Sequence, residues 1–457
     1  MRNKCIKVLL LVIVAFLPVS CLVGPKYKDP EFKEKSAVKY RFSPNSDTTK
    51  TILNVKWFDI FNDEVLKGLI NKGIENNFDL KIAISRLEQA KANLGFTKAN
   101  ILPSFQYSAG ANTAENFIQN SSLIGNMSWE IDFWGKLRHE NRAVQNELLA
   151  TEEARKTVLA GIVSEIATAY FQLRDLDNQL EITKQTLKTR QDSYVIITDR
   201  FKSGYTSELD KVQIEQQVAI AEAAIPNIKR QITALENTIS ILIGQTPGVI
   251  ERGKTNKEQL MVTNLPLSIP SSLLQNRPDV KRAELQYIAA HERIGVAQAM
   301  RFPSFNIAAI AGFATPKIGD LFNDGSYTDN ASVGITGPIF QFGKNRRRVE
   351  INRQLAEQSK LNYQKTYLVA IAEVENAIQN ATTYKEEFEA RSRQVAAAKK
   401  NYELSYARYY NGYVSYLEVL DVQRSLFDAE ISLSQLSQRQ LSAMVQLYKA
   451  LGGGWNE

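Results

Sequence analysis

The stretch "GVAQAMRFPSF", Gly295 to Phe305, rewrites "GFTKANILPSF", Gly95 to Phe105, at an offset of 295 − 95 = 200 residues. The likeness continues in both directions. Upstream, "FDLKIA" (Phe78 to Ala83) pairs with "PDVKRA" (Pro278 to Ala283), with Asp79/Asp279, Lys81/Lys281 and Ala83/Ala283 identical at the same offset. Downstream, "FWGK" (Phe133 to Lys136) pairs with "QFGK" (Gln341 to Lys344), and "RFKSGYTSELD" (Arg200 to Asp210) with "RYYNGYVSYLE" (Arg408 to Glu418), where the offset is 412 − 204 = 208. The second copy has therefore gained eight residues (208 − 200 = 8) between Phe305 and Gln341. The chain is a tandem duplication, and one copy's fold predicts the other's.

Each copy reads helix, break, two short strands, a very long helix, a turn and a second helix. The first helix, about Asp63 to Asn100, is rich in Ala, Leu, Lys and Glu and stops before Pro103, which lacks an N–H; Pro303 ends its counterpart. Phe105, Tyr107, Ala109 and Ala111 then share one face. In "LIGNMSWEIDF" Leu123, Gly125, Met127, Trp129, Ile131 and Phe133 alternate with Ile124, Asn126, Ser128, Glu130 and Asp132. A period of two with one apolar face means strands; the copy-two strands start at Phe305 and Ala331. From Gly135 to Phe201 and Gly343 to Tyr410 there is no proline, which predicts helices of roughly 65 residues and about 100 Å. Leu173, Leu176, Leu180, Thr183, Leu187, Arg190, Tyr194, Ile197 and Phe201 recur at alternating spacings of three and four, a coiled-coil seam. Gly204 and Gly412 close the long helices, new helices begin beyond Thr206-Ser207 and Ser415, and Pro226 interrupts the first return helix as a kink.

With 457 residues, 44% hydrophobic and 23% charged, the chain has the composition of a packed protein. Its N-terminus carries Arg2, Lys4 and Lys7 before an apolar run from Val8 to Leu17, the layout of a secretory signal, and that run is too short to span a bilayer. Ser20-Cys21 at its end predicts cleavage before Cys21 and lipidation of that thiol; the plainer reading is a thiol near an ordinary cleavage site. Removing three cations from 56 leaves 53 against 49 acids, a net +4 with both signs mixed, unlike a nucleic-acid-binding surface.

Four strands cannot close a barrel, since transmembrane barrels need about eight, so the strands must pair with those of other copies. No apolar run after Leu17 is long enough for a membrane helix, so any insertion of the mature chain uses these strands. The sequence here resembles the TolC-like outer-membrane efflux family, specifically its lipoprotein branch. The likeness is carried by "CLVGPKYKDP" (Cys21 to Pro30), "NRPDVKRAE" (Asn276 to Glu284) and "GYVSYLEVLDVQRSLFDAE" (Gly412 to Glu430). It implies a mainly α protein with a membrane β-barrel portion: a homotrimer giving four strands per protomer to a twelve-stranded barrel, continued by a tunnel of long antiparallel coiled-coil helices. The implied organisation is a signal peptide (1–20), a lipidated segment and part of an equatorial region (21–62), a first repeat (63–243, strand pair 104–133), an equatorial linker (244–271), a second repeat (272–451, strand pair 304–342) and a tail (452–457). The implied function is a passive exit duct in a Gram-negative outer membrane. It would dock with an inner-membrane pump of the resistance-nodulation-division type through a periplasmic adaptor, with drugs, metals or dyes as cargo. Two rivals stay open at this point, a type I protein-secretion duct and a non-conducting coiled-coil lipoprotein scaffold.

Residues for chemistry are thin, so no enzyme activity and no cofactor are expected. His139 and His291 match no metal-ligand spacing and read as surface or interface residues, and no phosphate-binding or nucleophile motif occurs. Lys136, Arg138 and Arg142 open one long helix; Lys344, Arg346, Arg347 and Arg348 open the other. Cations there oppose the helix dipole, so lipid phosphates are one expected partner, Arg346, Arg347 and Arg348 being the candidates; a solvated basic face is the alternative. Near the far turns, Leu417, Asp421 and Arg424 of copy two correspond to Leu209, Gln213 and Gln216 of copy one, so both charges belong to copy two alone. The resemblance places Leu417 and Asp421 where the family narrows its periplasmic aperture, with Arg424 the nearby cation; the alternative is an intrahelical pair. It also implies that Gly204, Tyr205, Gly412 and Tyr413, at the hairpin tips, contact the adaptor.

Overall fold

The computed structural model describes residues 22–27, 63–114, 117–259 and 277–452. Cys21, the signal segment and residues 28–62 of the expected equatorial region lie outside the described residues. Helices α1 (Glu64–Asn76) and α2 (Phe78–Ala99) lead into strands β1 (Ser104–Ala114) and β2 (Phe117–Ile131), then α3 (Lys136–Lys202) and α4 (Glu208–Leu242). The second copy repeats the order with α5 (Pro278–Ala299), β3 (Ser304–Thr315), β4 (Tyr327–Thr336), α6 (Lys344–Tyr410) and α7 (Tyr416–Ala450). The duplication is met residue for residue: α2 and α5 have 22 residues each, α3 and α6 have 67, α4 and α7 have 35.

Four local expectations need correction. The first helix is two helices, because Asn77 leaves helical geometry (ψ 130°), accepts from the Leu80 N–H and donates to the Leu242 carbonyl, starting α2 afresh. Pro226 does not interrupt α4, which runs unbroken from Glu208 to Leu242. In copy two, β4 begins at Tyr327 rather than Ala331, and it ends at Thr336, before 342. Pro338 has no N–H for a ladder. The eight added residues fall in the β3–β4 connection, which holds a short 3-10 turn, Ile318–Asp320.

The described residues divide into two compact units. One comprises 22–27, 84–154 and 279–366 and contains the sheet, whose strands lie in the order β1-β2-β3-β4, every neighbour antiparallel. The β2–β3 ladder, from Ser121↔Thr315 to Ile131↔Phe305, joins the two copies, and β1 and β4 are left as edges. Trp134 fastens the strand ends: its indole N–H donates to the Pro303 carbonyl (2.7 Å) and its ring stacks on Phe302 (4.6 Å).

The other unit is helical, from 63–83, 155–259, 277–278 and 367–452. Leu66 and Ile70 of α1, Ile166, Tyr170 and Phe171 of α3, Ile239 of α4 and Leu441 of α7 bury one core. The α3 seam packs as its spacing predicts, and its two polar members, Thr183 and Arg190, are buried with it. Thr183 turns its hydroxyl back to the Gln179 carbonyl, and Arg190 reaches the Gln217 carbonyl (2.9 Å). Burial lowers the Arg190 pKa from its ordinary value.

Candidate functional site

Register decides what the sheet can do. Following the partners across from Phe105 (Phe105↔Met127↔Ala309↔Ala331), and doing the same at every second residue, sorts the side chains into two faces. One face carries Phe105, Tyr107, Leu123, Met127, Trp129, Ile131, Phe305, Ile307, Phe313, Tyr327, Val333 and Ile335, interrupted by a single charge, Asp329. The opposite face carries Gln106, Ser108, Asn112, Asn126, Ser128, Glu130, Asn306, Thr328, Asn330 and Ser332, with Ile124 and Ile310 as its large apolar members. On the apolar face, Phe105 and Tyr107 are 75% and 85% exposed in the single chain. A soluble sheet would cover such a face with a helix. Strands of 10 to 15 residues are long enough to cross a bilayer. Aromatic rings end the apolar face on both sides, Phe105, Trp129 and Phe305 at one and Phe313 and Tyr327 at the other, as in barrel girdles. Among the described residues, no helix is long and apolar enough to cross a membrane.

The basic clusters at the two strand-to-helix junctions differ. In copy one, Asp132 caps α3 by accepting from the Leu137 and Arg138 N–H groups, and pairs with the Arg138 guanidinium (3.0 Å). Lys136 pairs with Glu130 (2.6 Å). The dipole penalty expected for those cations is thus met inside the chain. In copy two, Arg348 bonds Asn345 (3.1 Å) and turns toward the Met300 sulfur, while Arg346 and Arg347 stay exposed.

His139 departs from its surface reading. It is buried, its Nδ1 lies 2.5 Å from Glu292 Oε2, and its ring lies against the backbone of Gly24 and Gly295. His291, beside Tyr27 and Tyr287, has its pKa lowered by burial, with Glu292 opposing the shift. The described residues contain no group of three or more His, Cys, Asp or Glu fit to hold a metal.

At the hairpin tips, Gly204 (φ +75°) and Gly412 (φ +78°) turn the chain, with the Tyr205 and Tyr413 N–H groups returning to the carbonyls of Arg200 and Arg408. Both tyrosines are exposed. Ser207 starts α4 with a reciprocal capping box to Asp210; Ser415 starts α7 with no side-chain cap bond. Leu417, Asp421 and Arg424 sit one turn apart along α7 and are 48%, 66% and 45% exposed by side chain or residue; Asp421 and Arg424 pair at 3.5 Å. So the structure contains the intrahelical pair, and an exposed pair of this kind adds only a few tenths of a kcal/mol. Gln213, the copy-one match of Asp421, is half-buried.

Sequence reasoning missed the buried carboxylate of Asp63. It caps α1 through the Val65 and Leu66 N–H groups and accepts from Tyr170 (3.0 Å), the Lys254 N–H (3.0 Å) and Gln259 (2.8 Å). The α1 cap was legible in the sequence; the other donors come from 107 to 196 residues away.

A chain that carries both a sheet apolar on one face and polar on the other and helical hairpins of this length has the makings of a membrane channel protein of the outer-membrane kind. The model for "outer membrane efflux protein" matches residues 69–245 and 269–453, one match per copy, and the chain belongs to that family. It is an efflux channel of the outer membrane. It is 29% identical over 450 residues to the cation efflux system protein CusC of Escherichia coli O6:H1, covering 97% of this chain and 98% of that one. It is 32% identical over 409 residues to the solvent efflux pump outer membrane protein SrpC of Pseudomonas putida, covering 87% of each. A crystal structure of CusC superposes with a TM-score of 0.84 at 30% identity over 95% of this chain and 100% of that one. The open state of the Neisseria gonorrhoeae MtrE channel gives 0.86 at 25% identity over 95% and 99%.

Proposed function

We propose that three copies of this chain close one twelve-stranded barrel and act as a passive exit duct, lipid-anchored at Cys21, for cargo delivered by an inner-membrane pump through a periplasmic adaptor. The observation that carries the reading is the sheet: one predominantly apolar face, one predominantly polar face and two unpaired edges. An open edge of that composition has to be paired or covered, and closure with further copies leaves none. The duplication supports the number, since two like halves repeated three times approximate sixfold symmetry around a pore. Gly204, Tyr205, Gly412 and Tyr413 form the adaptor-facing tips. The duct performs no catalysis, and the pump selects the cargo.

Leu417 and Asp421 form the periplasmic constriction, with Arg424 moderating the repulsion between like carboxylates. The weakness of the exposed Asp421–Arg424 pair supports a gate that docking can open. In planar bilayers, Leu417→Ala combined with Asp421→Ala raises single-channel conductance, and Gln213→Ala leaves it at the parent's value. The opposite pattern moves the constriction to copy one; a parent that never conducts makes the protein a scaffold.

A further inference from the structure

The two strand-to-helix junctions are copies of one another at the offset of 208, yet only one is finished from within the chain. In copy one, Leu22 sits so close to Gly135 (φ +81°) that a Cβ there would lie 2.4 Å from its Cδ1. The Val23 N–H donates to the Trp134 carbonyl (3.2 Å), Gly24 lies on the His139 ring, and Tyr27 packs on Tyr287. Residues 22–27 thus cover this junction, and Glu130 and Asp132 neutralise its cations.

In copy two, no atom of the described residues lies within 4 Å of where a Cβ on the matching Gly343 (φ +82°) would be. The positions matching Glu130 and Asp132 hold Pro338 and Phe340, and those matching Arg138 and His139 hold Arg346 and Arg347. Both arginines are exposed, and neither guanidinium makes a hydrogen bond or ion pair among the described residues, although the Arg347 backbone N–H donates to the Gly343 carbonyl (3.0 Å). Beside them Ile339, Phe340 and Phe342 are exposed, Phe342 at 90%, and Phe342 holds a left-handed φ of +48° that a bulky residue rarely adopts. Exposed rings, unneutralised cations and a costly backbone turn coincide at one place.

We propose that this second junction binds anionic phospholipid headgroups. Arg346 and Arg347 take the phosphate, and Ile339, Phe340 and Phe342 enter the boundary between headgroup and acyl chain. The inference rests on the anchored-barrel reading, which also sets the level. Leu22, the residue after Cys21 in the sequence, lies against Gly135, and the duplication gives Gly343 the same place after its own strand pair. Both junctions lie at the strand ends opposite the longer β3–β4 connection, which places them on the periplasmic side, where glycerophospholipid is the phosphate source.

The test uses the full-length acylated protein in phosphatidylcholine vesicles with and without phosphatidylglycerol. It measures the phosphatidylglycerol retained per protein after extraction, alongside conductance. Arg346→Gln with Arg347→Gln retains less phosphatidylglycerol, about fivefold less for each charge removed, and still conducts. Arg138→Gln, whose charge is already met by Asp132, retains the parent amount. Equal retention by the conducting double variant overturns the proposal. So does loss of the oligomer in both vesicle types, which would mean that the arginines face a second copy of the chain. A parent that neither inserts nor conducts overturns the anchored-barrel reading beneath it.

Discussion

Asp63 and Asp175 show two ways of burying a carboxylate in the helical unit. Asp63 is surrounded by donors from α1, Tyr170, Lys254 and Gln259, and it ties the segment after α4 to the start of the first repeat. Tyr170 passes the tie on by accepting from the Gly253 N–H (2.8 Å), and burial raises its pKa above the ordinary phenol range. Asp175 has fewer partners, Ser434 (2.5 Å) and Gln179 (2.7 Å), and burial raises its pKa above the usual carboxylate range despite both bonds. A raised carboxylate pKa means that the folded state holds the proton more tightly than the unfolded chain. Its contribution is therefore fully present below the unfolded pKa of about 4 and is lost as pH rises through the folded value. Asp175→Asn should unfold at a higher temperature than the parent at neutral pH, and the difference should vanish on acidification. Thermal unfolding of both proteins across that range checks it; a variant less stable at neutral pH would contradict the sign.

At the scale of elements, three helix ends are closed by the same device at different steric cost. Gly204, Gly244 and Gly412 all have positive φ, and each is followed by an N–H that returns to a carbonyl of the last helical turn. At Gly204 and Gly412 an added Cβ meets nothing within 4 Å, whereas at Gly244 it would lie 2.5 Å from the Asn76 carbonyl oxygen. Gly204→Ala and Gly412→Ala should each cost roughly 1–2 kcal/mol from the left-handed backbone alone. Gly244→Ala should cost clearly more, because α1 must move as well. Ranking the three by chemical unfolding tests this, and equal losses would show that φ alone sets the penalty. Asn77 explains the tightness at Gly244: its amide donates to the Leu242 carbonyl, holding the α1–α2 break against the end of α4.

For the whole molecule, the open edges make the sharpest prediction. Between β1 and β4 within one chain lie β2 and β3, so the edges are separated by about 14 Å at the usual strand spacing. That is too far for a disulfide. A cysteine at Ser108 combined in turn with one at Thr328, Asn330 or Ser332 should therefore give only intermolecular bridges. On a non-reducing gel, at least one pair should yield a product of three chains. Bridging confined to monomers, or none in membranes that contain the inserted protein, would contradict ring closure by copies of this chain.

Everything with a period was decided by the order of residues: the duplication, the 67-residue helices, the buried seam on α3 and the apolar sheet face. Periodicity is a local property, and a buried face has to recur at the spacing of its own backbone. The same holds for Gly204 and Gly412, where the chain between two helices leaves little choice but a left-handed turn. Among the site residues, the Leu417–Asp421–Arg424 row and the basic runs at Lys136 and Lys344 were legible in the same way. Tertiary structure alone decided which of those charges are answered. Asp132 turns back to cap α3 and hold Arg138; Glu292 reaches His139 across 153 residues; Asn77 breaks a helix that its neighbours' propensities would have continued. It also decided that β2 pairs with β3, welding the copies into one sheet and leaving β1 and β4 open. These outcomes depend on partners remote in the chain, and a polar group's best partner is set by what folding brings within about 3 Å, which no local pattern encodes.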